Sequence, residues 1–109
     1  MNKKVVYIAG PITGVRKYWE PFEAAADKLQ AEGFIPLSPT WQPAGMSNEQ
    51  YMRICLAMID SADAVLFLPG SSKSLGAIVE LFYCEYIGKP YAKAGNIEKL
   101  KEVLANGTA

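Results

Sequence analysis

The sequence predicts an α/β protein built on a parallel sheet, and three observations carry that expectation. Short β-branched or aromatic runs of strand length alternate with segments whose apolar residues recur at helical spacing. Glycine and proline punctuate these segments, at Gly10-Pro11, Gly33, Pro69-Gly70 and Gly88. The 109 residues, 50% of them apolar, are enough to bury one core without disulfide or metal support.

Lys4 to Ala9 is a short β-branched and aromatic run closed by Gly10-Pro11, the pattern of a strand buried on both faces. The loop Gly10 to Lys17 follows. Pro21 suits the first turn of a helix in which Phe22, Ala25, Ala26 and Leu29 share a face until Gly33 stops it. Phe34 to Leu37 is a brief second strand. Pro36, Pro39, Pro43 and Gly45 then predict a loop without regular structure, ending at Ser47, an N-cap with Gln50 three residues on. Tyr51, Ile54, Cys55, Met58, Ile59 and Ala62 trace the apolar face of a second helix that runs to about Ser61. Asp63 to Leu68 is the strongest strand signal, and Pro69-Gly70 ends it. The segment SSKSLG opens a third helix, Leu75 to Ile87, closed by Gly88. Lys89 to Ala92 reads as a fourth strand and Ile97 to Leu104 as a terminal helix. With no repeat, low-complexity tract or linker, residues 1–109 read as a single domain with right-handed crossovers.

Composition excludes several classes of function. Eleven Lys+Arg balance eleven Asp+Glu, whereas a nucleic-acid-binding domain carries an excess of cations, so no nucleic-acid partner is expected. The chain has no His, which removes Ser-His-Asp and Cys-His catalysis and His-based zinc sites. Cys55 and Cys84 are too few and too far apart for a disulfide scaffold or a CxxC site, which fits a reducing compartment. The apolar run after Lys3-Lys4 is too short for a signal peptide, and no stretch approaches the ~18 apolar residues of a membrane span. A cytoplasmic protein with no membrane partner is expected.

In a parallel α/β sheet the ligand lies beyond the carboxyl ends of the strands, where the strand order reverses. That directs attention to Gly10 to Lys17 and to Pro69 to Ser74. The second loop ends at a helix N-terminus, whose free amides and dipole favour an anion such as phosphate. Neither loop is a Walker motif, and GPITG departs from GxGxxG, so neither ATP nor NAD is expected. The candidates that remain are Tyr7, Thr13, Arg16, Ser71, Ser72, Ser74 and Glu80. Glu80, inside GAIVELFYC, is either desolvated, with a raised pKa, or placed on the one exposed stripe of its helix. On the residues alone, a tyrosine such as Tyr7 is more often core than catalyst, and the serines are more often turn and cap residues than phosphate ligands.

YIAGPITG at Tyr7 to Gly14, the approach YMRICLAMIDSADAVLFLPG, and SLGAIVE at Ser74 to Glu80 together resemble the nucleoside 2-deoxyribosyltransferase superfamily. The resemblance spans about residues 4 to 92. It is nearest to short phage and prophage members reading YIAGPMTG and LPGWxxSxGAxxE, which are related to 2′-deoxynucleoside 5′-phosphate N-hydrolases. It implies a Rossmann-like or flavodoxin-like three-layer sandwich with a parallel sheet of about four to five strands. It also implies that Glu80 is the nucleophile, oriented by Tyr7. The loop Gly10, Pro11, Ile12, Thr13, Gly14 to Arg16 would wrap the sugar and phosphate, with Arg16 as a cationic contact. Ser74, with Ser71, Ser72 and Gly76 beside it, corresponds to the phosphate-contacting serine of the hydrolase branch; the nucleoside transferases carry aspartate there. Cys55 departs from both characterised branches, which place a base-assisting aspartate at that position.

The expected function is cleavage of the N-glycosidic bond of a small-molecule 2′-deoxyribonucleoside 5′-monophosphate, by hydrolysis ahead of transfer, with no metal and no cofactor. The alternatives are a non-catalytic nucleotide-binding module with a degenerate site, or a pocket for another phosphorylated sugar derivative. Leu75, Ile78, Val79, Leu81, Phe82, Tyr83, Tyr86 and Ile87 give the third helix more apolar surface than one sheet can cover. A homodimer or higher homo-oligomer is therefore expected, and the resemblance implies the same.

Overall fold

Four strands, β1 (Val5–Ala9), β2 (Ile35–Leu37), β3 (Ala64–Phe67) and β4 (Tyr91–Ala92), form an all-parallel sheet in the order β2-β1-β3-β4. The structure is a computed structural model and describes residues 3–106. The ends of the expected domain, residues 1–2 and 107–109, lie outside the described residues. Tyr7 pairs with Leu37 on one side and Val65 on the other, which makes β1 a central strand. The chain turns to β2 on one side of β1 and then passes to β3 on the other. The strand order therefore reverses between β1 and β3, which makes their carboxyl ends the ligand-binding crevice of this kind of sheet.

Helices cover both faces. α1 (Trp19–Ala31) and α4 (Ile97–Asn106) pack through Phe22, Ala25, Ala26, Leu29 and Leu100 against Val6 and Ile8 of β1 and Leu66 of β3. α2 (Asn48–Ser61) and α3 (Leu75–Ile87) cover the opposite face, where Cys55, Ile59 and Cys84 meet Tyr7, Ala9, Val65 and Phe67. Successive strand residues point to opposite faces, so Tyr7 and its neighbours Val6 and Ile8 enter different layers. This is the expected three-layer, flavodoxin-like arrangement, with four strands.

The local signals act as read. Ser47 and Gln50 form a reciprocal capping box at the start of α2, and Gly88, at φ 74°, ends α3 in the left-handed region where a Cβ is disfavoured. Pro36 is accommodated because β2 is an edge strand that pairs only with β1. Some details differ. The four strands are shorter than expected, β4 keeping only Tyr91–Ala92 of residues 89–92, and Ser71–Lys73 before α3 form a 3-10 turn of their own. The segment expected to lack regular structure contains a single 3-10 turn, Pro39–Trp41, because Ser38 accepts a hydrogen bond from the Thr40 amide and Pro39 supplies the fixed φ of a first helical position. Ile54, assigned to the apolar face of α2, is 40% exposed, since Cys55 and Ile59 define the buried stripe. α4 continues to Asn106, beyond the expected Leu104. Among the described residues, no helix is long and apolar enough to cross a membrane.

Candidate functional site

Tyr7 sits in the middle of β1, and its ring enters the layer beneath α2 and α3. On α3 the buried residues are Ala77, Glu80 and Cys84, spaced three and four apart, so Glu80 lies on the stripe that faces the sheet. Its exposure is 5%, which rules out the exposed-stripe alternative. The Tyr7 hydroxyl donates to Glu80 Oε2 across 2.6 Å, a buried, charge-assisted bond between residues 73 apart in sequence.

Burial sets the electrostatics of this pair. It pushes the Glu80 carboxyl up to about 7, while the hydrogen bonds from Tyr7 and then Cys55 hold it back. Tyr7 is raised far above its ordinary value, first by burial and then by the Glu80 charge, so it remains a neutral donor at physiological pH. The Cys55 thiol is also raised, chiefly by burial. Glu80 is therefore the group of the site that exchanges a proton near neutrality, poised to act as a carboxylate nucleophile or base, or as an acid, over a small change of pH.

Cys55 is buried on α2 beside Tyr7 and accepts a 3.5 Å hydrogen bond at Sγ from Gln42 Nε2. Gln42 also donates to the Pro39 carbonyl at 3.3 Å, and its own Oε1 is buried without a hydrogen-bond partner among the described residues. A buried amide oxygen left unpaired costs on the order of 1–3 kcal/mol, so a donor from a bound ligand would satisfy it. Sequence reasoning missed Gln42, which lies in a Pro/Gly-rich loop where periodicity carries no signal. The 3-10 turn that precedes it places it over α2.

The two loops singled out in the sequence meet: a Cβ added to Gly70 would lie 3.6 Å from Pro11 Cγ. Gly10 is close-packed, with Leu68 Cβ and Phe22 Cζ 3.1 and 3.2 Å from the position of a Cβ, so a side chain here requires Leu68 and Phe22 to give by a few tenths of an ångström. Pro11 and Ile12 are half-buried, and Ile12 packs on the α1 and α4 side of the sheet. Thr13, Gly14 and Arg16 are exposed. Ser74 Oγ caps α3 by accepting from the Ala77 amide at 3.3 Å, which leaves the hydroxyl hydrogen to donate elsewhere. Ser71 Oγ donates to the Leu68 carbonyl at 2.6 Å, a turn role, and Ser71 and Ser72 line a separate cavity towards β4. Gly76 faces Met52 of α2, whose Cε lies 3.7 Å from the position of a Cβ. Tyr7, Glu80 and Cys55 thus converge, Ser74 lies at the mouth of the same helix, and Arg16 and Thr13 stand out on the loop. Among the described residues no three His, Cys, Asp or Glu side chains are grouped to hold a metal.

A family model described as Domain of unknown function (DUF4406) matches residues 4–92. No curated protein matches the chain. Among the solved structures that match is the 2-deoxyribosyltransferase of the psychrotolerant bacterium Bacillus psychrosaccharolyticus. It superposes with a TM-score of 0.64 at 22% identity, over 82% of this chain and 70% of that one. At that identity the likeness is one of fold.

Proposed function

The chain belongs to the DUF4406 family, and on that premise we propose that it cleaves the N-glycosidic bond of a 2′-deoxyribonucleoside 5′-monophosphate. The observation that carries this reading is the buried Tyr7–Glu80 hydrogen bond at the strand-order switch point. The fold shared with a 2-deoxyribosyltransferase supports a nucleoside as the ligand class.

In this reading Tyr7 fixes Glu80 Oε2 and the other carboxylate oxygen attacks C1′ from the face opposite the base. The C1′–N bond breaks, its electron pair leaves with the base, and the base takes up a proton from solvent. A covalent glycosyl ester remains on Glu80. Water then attacks C1′, loses a proton to the solvent or to the departing carboxylate, and frees 2-deoxyribose 5-phosphate. A second base in place of water gives transfer. The Ser74 hydroxyl and the N-terminal amides of α3 hold the 5′-phosphate, and Arg16 reaches it from the facing loop. Binding energy far from the reacting atoms is thereby used to position C1′. Gln42, with its unpaired buried oxygen, accepts a hydrogen bond from the base.

The test is incubation of the protein with each deoxyribonucleoside 5′-monophosphate and assay for free base. The reading requires release by the wild type and a loss of at least about tenfold in Glu80→Gln. One observation favours a second reading, a binding module without turnover: Cys55, a neutral thiol, offers poorer assistance to a departing base than a carboxyl group. Binding without release of base by any of the four nucleotides would select it.

The same reading includes a homodimer. Leu75, Val79, Phe82 and Tyr86 lie along one stripe of α3, and Leu75, Phe82 and Tyr86 are 79%, 67% and 90% exposed. A second copy would cover them. Light scattering should report twice the 11.9 kDa chain mass, and Phe82→Lys should halve it.

A further inference from the structure

The cavity bordered by Ser71 and Ser72 has neither Tyr7 nor Glu80 in its lining, but Phe67 and Ala77, which belong to the same layer as that pair, form part of its wall. Its volume is about 230 Å³, and its floor is made by Phe67 at the end of β3 together with Ala77, Ile78 and Leu81 of α3. Lys93, exposed in the loop after β4, stands on its rim. A pocket that encloses a whole drug-sized ligand holds about 300 Å³ or more, so this space suits a single ring-sized group. Its lining is mainly apolar, with one ammonium group and serine hydroxyls at the edge.

Its position relative to the site follows from the chain. The Ser74 amide donates to the Ser71 carbonyl at 3.0 Å, so the residue that caps α3 and a residue lining the cavity are joined directly. Along α3, Ala77 and Leu81 turn towards the cavity, while Glu80 turns to Tyr7. Six residues at the helical rise separate Ser74 from Glu80 by about 9 Å along the axis. In the nucleotide reading, with C1′ at Glu80 and the 5′-phosphate at Ser74, the phosphate is held by a residue bonded directly to the cavity wall at Ser71, and Lys93 stands on the rim of the same cavity.

We infer that the cavity between the Gly70–Ser72 turn and Lys93 is a subsite for an apolar or aromatic group esterified to the 5′-phosphate, so that the substrate class extends to 5′-phosphodiesters. This rests on the nucleotide reading given above. Lys93 complements the bridging phosphate, and the apolar floor takes the substituent.

The experiment is calorimetric titration of the wild-type protein with whichever common deoxyribonucleoside 5′-monophosphate binds most tightly, and with the 4-nitrophenyl phosphodiester of the same nucleotide. Esterification removes one negative charge, so a tighter complex has to come from the ring. The expected result is a Kd for the ester about tenfold lower or better. Ile78→Trp, which fills the cavity, should abolish that advantage and leave the monophosphate Kd within about twofold of wild type; Leu81→Trp serves if the first variant does not fold. Equal affinity for the two ligands, or an advantage that survives both tryptophans, overturns the subsite and leaves the nucleotide reading standing. Binding of neither ligand overturns both.

Discussion

The Tyr7 hydroxyl and the Glu80 carboxylate meet at 2.6 Å beneath α2 and α3, and the tyrosine is fully buried while the glutamate is nearly so. A strand residue and a helix residue thereby join into one polar unit inside an otherwise apolar layer. A core built only for stability has no use for this carboxylate, whose burial opposes its charge.

That cost gives the first prediction. Glu80 titrates near 7 in the folded protein against 4.5 for the ordinary group, so between these values the folded state binds more protons than the unfolded one. Stability should therefore be highest below about pH 4.5 as far as this group is concerned, fall as pH rises through 7, and level off above. The integrated loss is on the order of 3 kcal/mol. Glu80→Gln keeps an acceptor for Tyr7 and removes the titration, so at pH 8 the variant should be more stable than wild type by a similar order. Urea denaturation of both proteins at pH 5 and pH 8 checks this; a variant that is less stable at pH 8 contradicts the buried-carboxylate account.

Tyr7→Phe tests the other partner. The phenol is the stronger of the two hydrogen bonds that lower the Glu80 pKa, so its loss should move the alkaline-rising limb of the kcat/KM profile upward from about 7. The amount of active carboxylate at pH 7 falls with it. A variant with reduced activity but an unmoved limb would give Tyr7 a packing role only.

The third prediction concerns phosphate. Because Ser74 Oγ caps α3 as an acceptor, its hydrogen is available to the ligand, and a charge-assisted bond contributes about 1.5–3 kcal/mol. A deoxynucleoside 5′-monophosphate should therefore bind roughly tenfold or more tightly than the matching nucleoside. Ser74→Gly retains most of the cap and loses the hydroxyl, so it should shrink the preference with little effect on the melting temperature. Equal affinities for nucleoside and nucleotide in wild type would return the protein to the nucleoside transferase alternative.

Much of this arrangement is legible in the sequence, and the exceptions have physical reasons. Strand and helix order follow from apolar period and Gly/Pro punctuation, and α3 occupies the range expected of it. The side on which Glu80 falls is not legible, because Ile78, Val79, Leu81 and Phe82 surround it and an almost wholly apolar helix has no periodic contrast. Ile54 misleads in the opposite sense: it is apolar by type and four-tenths exposed by position. Gln42 is set by the capped 3-10 turn before it, a feature of three residues that prolines conceal. Ser71 and Ser72 look like partners of Ser74 in sequence, but the turn at left-handed Gly70 points them into the neighbouring cavity.

Cys55→Asp tests the position where the motif resemblance implies a base-assisting aspartate. A carboxyl group here can assist the departing base, with a gain of about 10- to 100-fold in turnover for general acid-base help. It would also lie beside Glu80, and a like charge there raises the Glu80 pKa further, so the gain should appear at higher pH than the wild-type optimum. Thermal melting establishes that the variant folds. A folded Cys55→Asp protein without any gain would favour the binding-module reading.

The central claim is that Glu80 forms a bond to C1′, and intact-protein mass spectrometry after rapid acid quench tests it most directly. Mixing the protein with an excess of the deoxyribonucleoside 5′-monophosphate it binds most tightly should give a species heavier by one 2-deoxyribose 5-phosphate less water. Proteolysis should locate the addition on Glu80, and Glu80→Gln should show none. Release of free base with no adduct on Glu80 at any quench time, or the same adduct on the Gln variant, would contradict the account.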